Sequence, residues 1–149
     1  MATSPPLNDE AERDRARRAL EQVCARGDFA AAEGLYSPRF VDHVNDLDYH
    51  GHKGIRESVG LYMRVFSDLR VDVVDQVSEG DRGVSRWVAE GTNRGRRVQL
   101  KGITISRFEN GMIAEDWSIS DSLSLLRQLG PRRAILLGAR ELVHLLRRR

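Results

Sequence analysis

The sequence predicts an α+β fold with the element order helix, helix, strand, helix, followed by four strands in a meander. Apolar residues recur at helical spacing over residues 9–66, whereas from residue 69 onwards they alternate with polar residues, as in half-buried strands. The dipeptide Asn110-Gly111 tolerates positive φ at both central turn positions and marks a two-residue hairpin between the last two strands. With 149 residues, of which 40% are hydrophobic and 31% charged, the chain has the size and composition of one globular domain.

Three helices are predicted in the first half of the chain. The first is capped by Asn8, has acidic residues in its first turn at 9–12, carries an apolar stripe over residues 16–24 and ends at Gly27. The second covers Phe29 to Leu35, and the third runs from Gly54 to Phe66. The third helix has a broad apolar face made of Ile55, Val59, Tyr62, Met63 and Phe66. Such a face either packs in the core or covers a ligand cavity.

The last predicted strand and its exit carry the first candidate catalytic residue. Side chains alternate across a strand, so residues 115–121 divide into two sets. One set is Glu115, Trp117, Ile119 and Asp121, and the other is Asp116, Ser118 and Ser120. Because Trp117 and Ile119 are the bulky apolar pair, their face is expected to point inward and to carry Asp121 with it. A carboxylate among apolar side chains has a raised pKa, which suits a general acid or base. The alternative is that Asp121 only caps the helix that begins at Ser122.

A polar loop after Phe40-Val41 is the second region that holds candidate residues. Its chemically active side chains are Asp42, His43, Asn45, Asp46, Asp48, His50 and His52. The loop is a metal site, a solvated loop, or the rim of a pocket with His43 aimed inward. No metal site is predicted, because the spacing matches no motif such as His-Glu-x-x-His. A histidine titrates near neutrality and moves protons without a large pKa shift, so His43 is the second candidate catalytic residue.

Charge and composition exclude several classes of protein. The net charge is +2, but residues 131–149 hold six arginines and one glutamate, a net +5, which leaves −3 for the rest. A slightly acidic body argues against nucleic-acid binding. The single cysteine, Cys24, excludes an intrachain disulfide and a two-cysteine metal motif. The first residues lack an apolar signal segment and no apolar run is long enough to span a membrane, so a cytoplasmic protein is expected.

The two ends of the chain are expected to differ from the body. Residues 1–8 are predicted to be disordered, and residues 131–149 to form a basic amphipathic helix. The apolar face of that helix consists of Ile135, Ala139, Leu142 and Leu146. Binding to an anionic membrane is one interpretation, but the helix has no aromatic anchor, so packing against protein is more economical. Since Val84 and Val88 on the outer face of the sheet also need to be covered, a homodimer is expected.

A series of motifs follows the third helix. They are Glu79-Gly80-Asp81-Arg82, Arg86-Trp87, Gly91-Thr92, Gly95, Gly102, Arg107-Phe108, Asn110-Gly111, Glu115, Trp117, Asp121 and Leu125 to Gly130. In this order they resemble the SnoaL-like polyketide cyclases, and the resemblance covers roughly residues 16–130. It implies the nuclear-transport-factor-like fold, in which a curved antiparallel sheet forms a cone around a cavity closed by N-terminal helices. The cone domain is expected to span residues 9–130, followed by the extra C-terminal helix.

The resemblance also implies a small-molecule enzyme of polyketide biosynthesis. Ring-closing members of the family run an intramolecular aldol condensation without a metal or cofactor, and a carboxylate on their last strand is the acid/base. The matching residue here is Asp121, with His43 expected to face the same cavity and assist. The implied substrate is a hydrophobic polycyclic molecule. The residues expected to contact it are Trp117, Ile119, Trp87, Phe40, Asp42, Tyr62, Phe66, Thr104 and His50.

Two other functional classes stay open at this point. One branch of the same family resembles hydroxylases that modify polyketide rings with several acidic cavity residues, for which Asp42, Asp116 and Asp121 are available. A hydrolase on the same scaffold belongs with this alternative. The other class is a non-catalytic domain that binds a small ligand or dimerises. The fold does not decide between these classes, because function depends on the site that a fold carries.

Overall fold

The computed structural model of the protein describes residues 9–132 and residue 135. The predicted disorder of residues 1–8 lies outside the described residues, and so does nearly all of the predicted helix over residues 131–149. The predicted membrane-facing or packed surface of that helix therefore stays a prediction.

Four helices are present in the described part of the chain. They are α1 (Asp9–Arg18), α2 (Phe29–Leu35), α3 (Gly51–Val65) and α4 (Ser122–Leu129), with a π-helical turn at Ala19–Cys24 directly after α1. Gly27, at φ 65°, adopts the left-handed conformation that ends the first helical segment. The Asp28 side chain then caps α2 by accepting a hydrogen bond from the Ala31 N–H at 3.1 Å. The three predicted helices are thus present, although α3 begins at Gly51 rather than Gly54 and the π-helical turn was not predicted.

One six-stranded sheet forms the rest of the domain. Its strands are β1 (Tyr36–Val44), β2 (Leu47–His50), β3 (Arg70–Glu79), β4 (Arg82–Asn93), β5 (Arg96–Glu109) and β6 (Met112–Ser120). Their order in the sheet is β2-β1-β6-β5-β4-β3. The strands β1 and β6 run parallel and the other neighbours antiparallel, so the sheet is mixed rather than wholly antiparallel.

The turns explain where the sheet prediction succeeded and where it fell short. Asn110 and Gly111 have φ of 52° and 73°, as the two-residue hairpin between β5 and β6 requires. A second tight turn lies at Asn45, with φ 52°, and returns the chain as β2 along β1. The sequence predicted a loop over β2, because polar residues with no alternating apolar pattern conceal a short edge strand.

The helices α1 to α3 and the π-helical turn pack on one face of the curved sheet, whereas α4 packs against β5 near the end of the cone. The core has two clusters, one around Phe40 and Ile113 and the other around Phe66 and Leu100. A cavity lies between helices and sheet. The α+β cone predicted from the sequence is confirmed. No helix within the described ranges is long and apolar enough to cross a membrane.

Candidate functional site

The cavity between the helices and the sheet has an apolar wall with a compact group of polar side chains. Its apolar lining includes Leu20, Phe40, Val44, Ile55, Val59, Leu69, Val71, Trp87 and Ala89. Its polar lining consists of Cys24, Tyr36, Asp42, Ser58, Tyr62, Thr104, Asp116 and Ser118. A few convergent polar groups in an apolar cavity are typical of a small-molecule site.

The cavity is narrow. The volume open to the centres of water molecules is about 60 Å³, which is enough for a handful of waters. A ring system therefore has to displace lining side chains when it enters.

Two carboxylates, Asp42 and Asp116, lie side by side in the cavity. Asp42 of β1 is the register partner of Asp116 of β6, and adjacent strands are only ~4.8 Å apart. Burial raises the pKa of Asp42 to about 6, although a hydrogen bond with Ser58 and the positive charge of His43 oppose the rise. Burial, followed by the negative charge of Asp42, raises the pKa of Asp116 well above its usual value, against a hydrogen bond with Ser106. Burial thus disfavours the charged form of both carboxyl groups, and the negative charge of Asp42 disfavours ionisation of Asp116 further.

The buried Asp116 carboxyl group leaves one oxygen without a protein partner. Asp116 is 7% exposed, and its Oδ1 has no hydrogen-bond partner among the described residues. Leaving a buried polar atom unmatched costs about 1–3 kcal/mol. An atom of this kind in a cavity is available to bond a ligand.

Two tyrosines and a cysteine add neutral donors beside the carboxylates. Burial, followed by the charges of Asp42 and Cys24, raises the pKa of Tyr62, which hydrogen-bonds with Ser120. Burial likewise raises the pKa of Tyr36 well above its usual value. The Cys24 thiol, at the end of the π-helical turn, has a pKa raised to about 12 by burial and hydrogen-bonds with Tyr36. All three groups are neutral near pH 7.

A chain of hydrogen bonds crosses the sheet wall of the cavity. The Trp87 indole Nε1–H on β4 donates to Thr104 Oγ1 on β5 at 2.9 Å. Thr104 Oγ1 lies 2.9 Å from Ser118 Oγ on β6, and either hydroxyl can donate. The three side chains lie on the cavity face of neighbouring strands.

The predicted position of Asp121 is wrong. Asp121, Trp117 and Ile119 do share one face of β6, but that face is the outer, convex one, and Ile119 is 72% exposed. Asp121 is exposed and caps α4, its Oδ1 accepting a hydrogen bond from the Ser124 N–H at 2.9 Å. The bulky apolar pair was expected to mark the inner face. It marks instead an apolar outer face, while the inner face of β6 carries the polar residues that line the cavity.

His43 also lies outside the cavity, contrary to the prediction. Its two ring nitrogens lie 2.6 Å from Asp48 Oδ1 and 2.9 Å from Glu115 Oε1, and its ring stacks on Trp117 at 5.5 Å between centroids. Burial lowers the pKa of His43, but the bonds to Glu115 and Asp48 outweigh it, so the pKa is raised. The cause of the misplacement is alternation, because His43 follows Asp42, which points inward.

The remaining predicted contact residues divide between the cavity and other places. Phe40, Asp42, Tyr62, Trp87 and Thr104 line the cavity. Phe66 is fully buried in the core next to Gly91 rather than on the cavity wall, and His50 is exposed at the start of α3. Among residues 9–132, no group of three or more His, Cys, Asp or Glu side chains is arranged to hold a metal ion.

The residues that sequence reasoning missed are those on the inner face of β6 and at the end of the first helix. Asp116 and Ser118 were assigned to the wrong face, Cys24 was included in the apolar stripe of the first helix, and Tyr36 was not singled out as a cavity residue. The available signal was the triplet Asp116, Ser118 and Ser120, three polar side chains in alternation on one strand. A solvated strand face and a polar cavity wall have the same pattern.

The protein is a cone-shaped α+β domain that encloses an apolar cavity with a pair of acids. The profile of the SnoaL-like polyketide cyclases matches residues 14–129, and the chain belongs to this family. No curated protein matches the chain significantly.

Solved structures agree with this assignment. A loop truncation variant of IdmH is 29% identical, with a TM-score of 0.71, over 80% of this chain and 99% of that one. Wild-type IdmH, a proposed polyketide cyclase from Streptomyces antibioticus, is 27% identical over 80% of this chain and 99% of that one, with a TM-score of 0.70. A proposed polyketide cyclase from Bacillus cereus, 22% identical over 80% of both chains at a TM-score of 0.73, shows the shared fold. The family supports a polyketide cyclase-type role on small polyketide substrates.

Proposed function

We propose that this chain is an enzyme that closes a ring of a polyketide by an intramolecular aldol reaction, with Asp42 as general base and Asp116 as general acid. The single observation that supports the assignment is the adjacent pair of buried cavity carboxylates, both with raised pKa values, of which Asp116 is also affected by the negative charge of Asp42. Two titratable groups whose surroundings push their pKa values apart are suited to the two opposite roles. The proposal moves the acid/base from Asp121, where the family resemblance would locate it, to the cavity pair.

The reaction needs one proton removed and one delivered. Asp42 takes a proton from a carbon between two carbonyl groups, and a base with a pKa of about 6 is ionised at pH 7 yet basic enough for that task. The resulting enolate carbon attacks a second carbonyl carbon of the same molecule. The new carbon–carbon bond forms as the π electrons of that carbonyl move to its oxygen, and Asp116 gives its proton to this oxygen. A proton then passes from Asp42 to Asp116, which restores the starting state.

The apolar wall supports the same chemistry. An enolate spreads its charge over several atoms, and exclusion of water strengthens the bonds that neutral donors make to it. Tyr36 and Tyr62 are such donors, because burial keeps both phenols protonated.

The experiment is turnover of ring-open β-keto polyketide esters, followed by mass spectrometry. Ring closure gives a product isomeric with the substrate, or lighter by one water, whereas hydroxylation gives one heavier by an oxygen atom. Asp42→Asn and Asp116→Asn should each lower kcat by at least about a hundredfold, the usual value of one general acid or base. The matched control is Asp121→Asn, which keeps a good helix cap and should retain activity. If Asp121→Asn alone lost activity, the acid/base residue would be Asp121 on the outer face rather than the cavity pair.

We also propose that the protein is a cytoplasmic homodimer joined through the outer face of its sheet. Ile103, Ile105 and Ile119 line an open apolar groove there and are 46%, 37% and 72% exposed. Contiguous exposed apolar side chains indicate an interaction surface. Sedimentation should give twice the chain mass for the wild type and the monomer mass for Ile119→Glu. A monomeric wild type would contradict this part of the proposal.

A further inference from the structure

The hydrogen bonds of the Trp87, Thr104 and Ser118 side chains have a direction. An indole N–H only donates, so Thr104 Oγ1 accepts from Trp87. The three groups carry three hydrogens between them, and the two observed bonds use two. One hydroxyl hydrogen, on Ser118 or on Thr104, therefore remains, and both of these side chains line the cavity.

The start of this chain of bonds is held rigidly. Trp87 on β4 is the register partner of Gly102 on β5. The indole occupies the space where a side chain at position 102 would lie, since a Cβ there would be 2.2 Å from the Trp87 Cζ2. Gly102 therefore lets the ring lie flat on the backbone, with its Nε1 aimed at Thr104 two residues further along β5. Trp87 is 5% exposed and Thr104 3%, so no bulk water competes for these bonds.

The hydroxyl pair lies near enough to Asp42 and Asp116 for one substrate molecule to contact both sites. Ser118 follows Asp116 by two residues on the same face of β6, and its partner across β1 is Val44, two residues after Asp42. Two residues of strand span ~6.6 Å. A keto group with one contact at each end can bridge this backbone spacing, because a hydrogen bond to its oxygen and the approach of a carboxylate to its neighbouring carbon add to the length of the group itself. When the oxygen accepts a hydrogen bond from the hydroxyl pair, the neighbouring carbon comes within reach of the carboxylates.

We propose that the Thr104–Ser118 hydroxyl pair is the donor site for the substrate oxygen on which charge develops, and that Trp87 and Gly102 are positioning residues that fix the direction of its bond. This inference rests on the proposed function and extends it. As the proton leaves the substrate carbon for Asp42, the electron pair of the broken C–H bond moves to the carbonyl oxygen. That oxygen becomes a stronger acceptor while the hydroxyl pair keeps its hydrogens. A donor that is oriented before the reaction needs no reorganisation when the charge appears.

The test uses 4-nitrophenol, whose oxygen imitates the enolate oxygen and whose absorbance reports its ionised form. The protein is the full chain carrying Asp42→Asn, because this change removes the carboxylate charge just as proton uptake would. We expect the bound phenol to be ionised at a pH where the free phenol is largely neutral. Adding Ser118→Ala or Thr104→Val should weaken binding about ten- to a hundredfold and lower the ionised fraction, as expected for one hydrogen bond to a charged group. Thr104→Ser should restore both measurements, because it keeps the hydroxyl group.

Two further variants separate this role from a general effect on packing. Ser85→Ala is the matched control, since Ser85 is a buried serine on β4 that bonds to Gln76 rather than lining the cavity. It should leave phenol binding within about twofold of the parent. Trp87→Phe keeps the hydroxyl pair but removes the indole N–H that orients it. It should therefore weaken phenol binding less than Ser118→Ala does.

Several outcomes would overturn the inference. They are unchanged affinity in both Ser118→Ala and Thr104→Val, an equal loss in Ser85→Ala, or no binding of the phenol to the Asp42→Asn parent. The readout does not involve turnover, so it is independent of the ring-closure assay. An active Asp42→Asn enzyme with intact phenol binding would refute the acid/base assignment and leave the donor site standing.

Discussion

Replacing Asp42 by Asn should make the protein more stable as well as inactive, and the gain should depend on pH. The pKa of Asp42 is raised by burial from 3.8 to about 6, so the folded state holds its proton more tightly than the unfolded chain does. The stability from this group is complete below about pH 4 and is lost as the pH rises through about 6. About two pKa units at ~1.4 kcal/mol each give a loss of about 3 kcal/mol at neutral pH. Asparagine has no charge to bury and avoids this loss.

The assay is urea unfolding of the wild type and of Asp42→Asn at several values between about pH 4 and pH 8. The difference in the free energy of unfolding should grow across this range by up to about 3 kcal/mol in favour of the variant. The growth of the difference is the readout, because any packing effect of the amide adds a constant at every pH. The matched control is Asp121→Asn, an exposed site, where the difference should stay within about 0.5 kcal/mol. A difference that is flat from pH 4 to pH 8 would show that the Asp42 carboxylate is well solvated, and the argument for its basicity would fail with it.

Three further predictions follow from single contacts. Gly102→Ala places a Cβ 2.2 Å from the Trp87 ring, so it should destabilise the fold by about 1–3 kcal/mol, which a lower Tm would show. The control is Gly95→Ala in an open turn, which lacks that clash and costs only the strain of its positive φ. Glu115→Gln should lower the pKa of His43 in an NMR titration of the histidine rings, because the bond from His43 to Glu115 raises that pKa, and an unchanged value would mean that Asp48 alone holds the charge. Asp121→Ala should cost about 1 kcal/mol of stability by removing the cap of α4, while Asp121→Asn should cost almost nothing; equal losses would contradict the cap.

Local signals predicted the elements well. The Asn110-Gly111 turn fixes the β5–β6 hairpin, and the apolar stripe of α3 gives the helix that covers the cavity with Ile55, Val59 and Tyr62. Both signals act within a few residues, where steric limits on φ and helical periodicity suffice to decide the outcome.

The orientation of β6 could not be predicted in the same way. Alternation divides Asp116 and Asp121 into two sets, but it does not say which set faces the cavity. The choice of the larger apolar set as the inner face assumed a dry core on one side and water on the other. In this protein the inner face of β6 lines a cavity and is polar, whereas the outer face is apolar, so the assumption gives the wrong orientation. The pairing of β1 with β6, which brings Asp42 to Asp116, is also long-range information that no local pattern contains.

The pairing of β1 with β6 also determines at which step of folding Asp42 and Asp116 come together. Among the strand pairs of the sheet, β1 with β6 joins the segments most distant in sequence, while β3 to β6 follow one another as neighbouring hairpins. Closing a long loop carries the larger entropic cost, so the hairpins have the kinetic advantage and β1 docks late. The wall of Trp87, Thr104 and Ser118 can thus assemble first, whereas two mutually repelling carboxylates meet only in the final step. A partly folded chain without β1 in the sheet would display the wall with Asp116 but without Asp42, so the acid pair is completed by the same step that completes the cone.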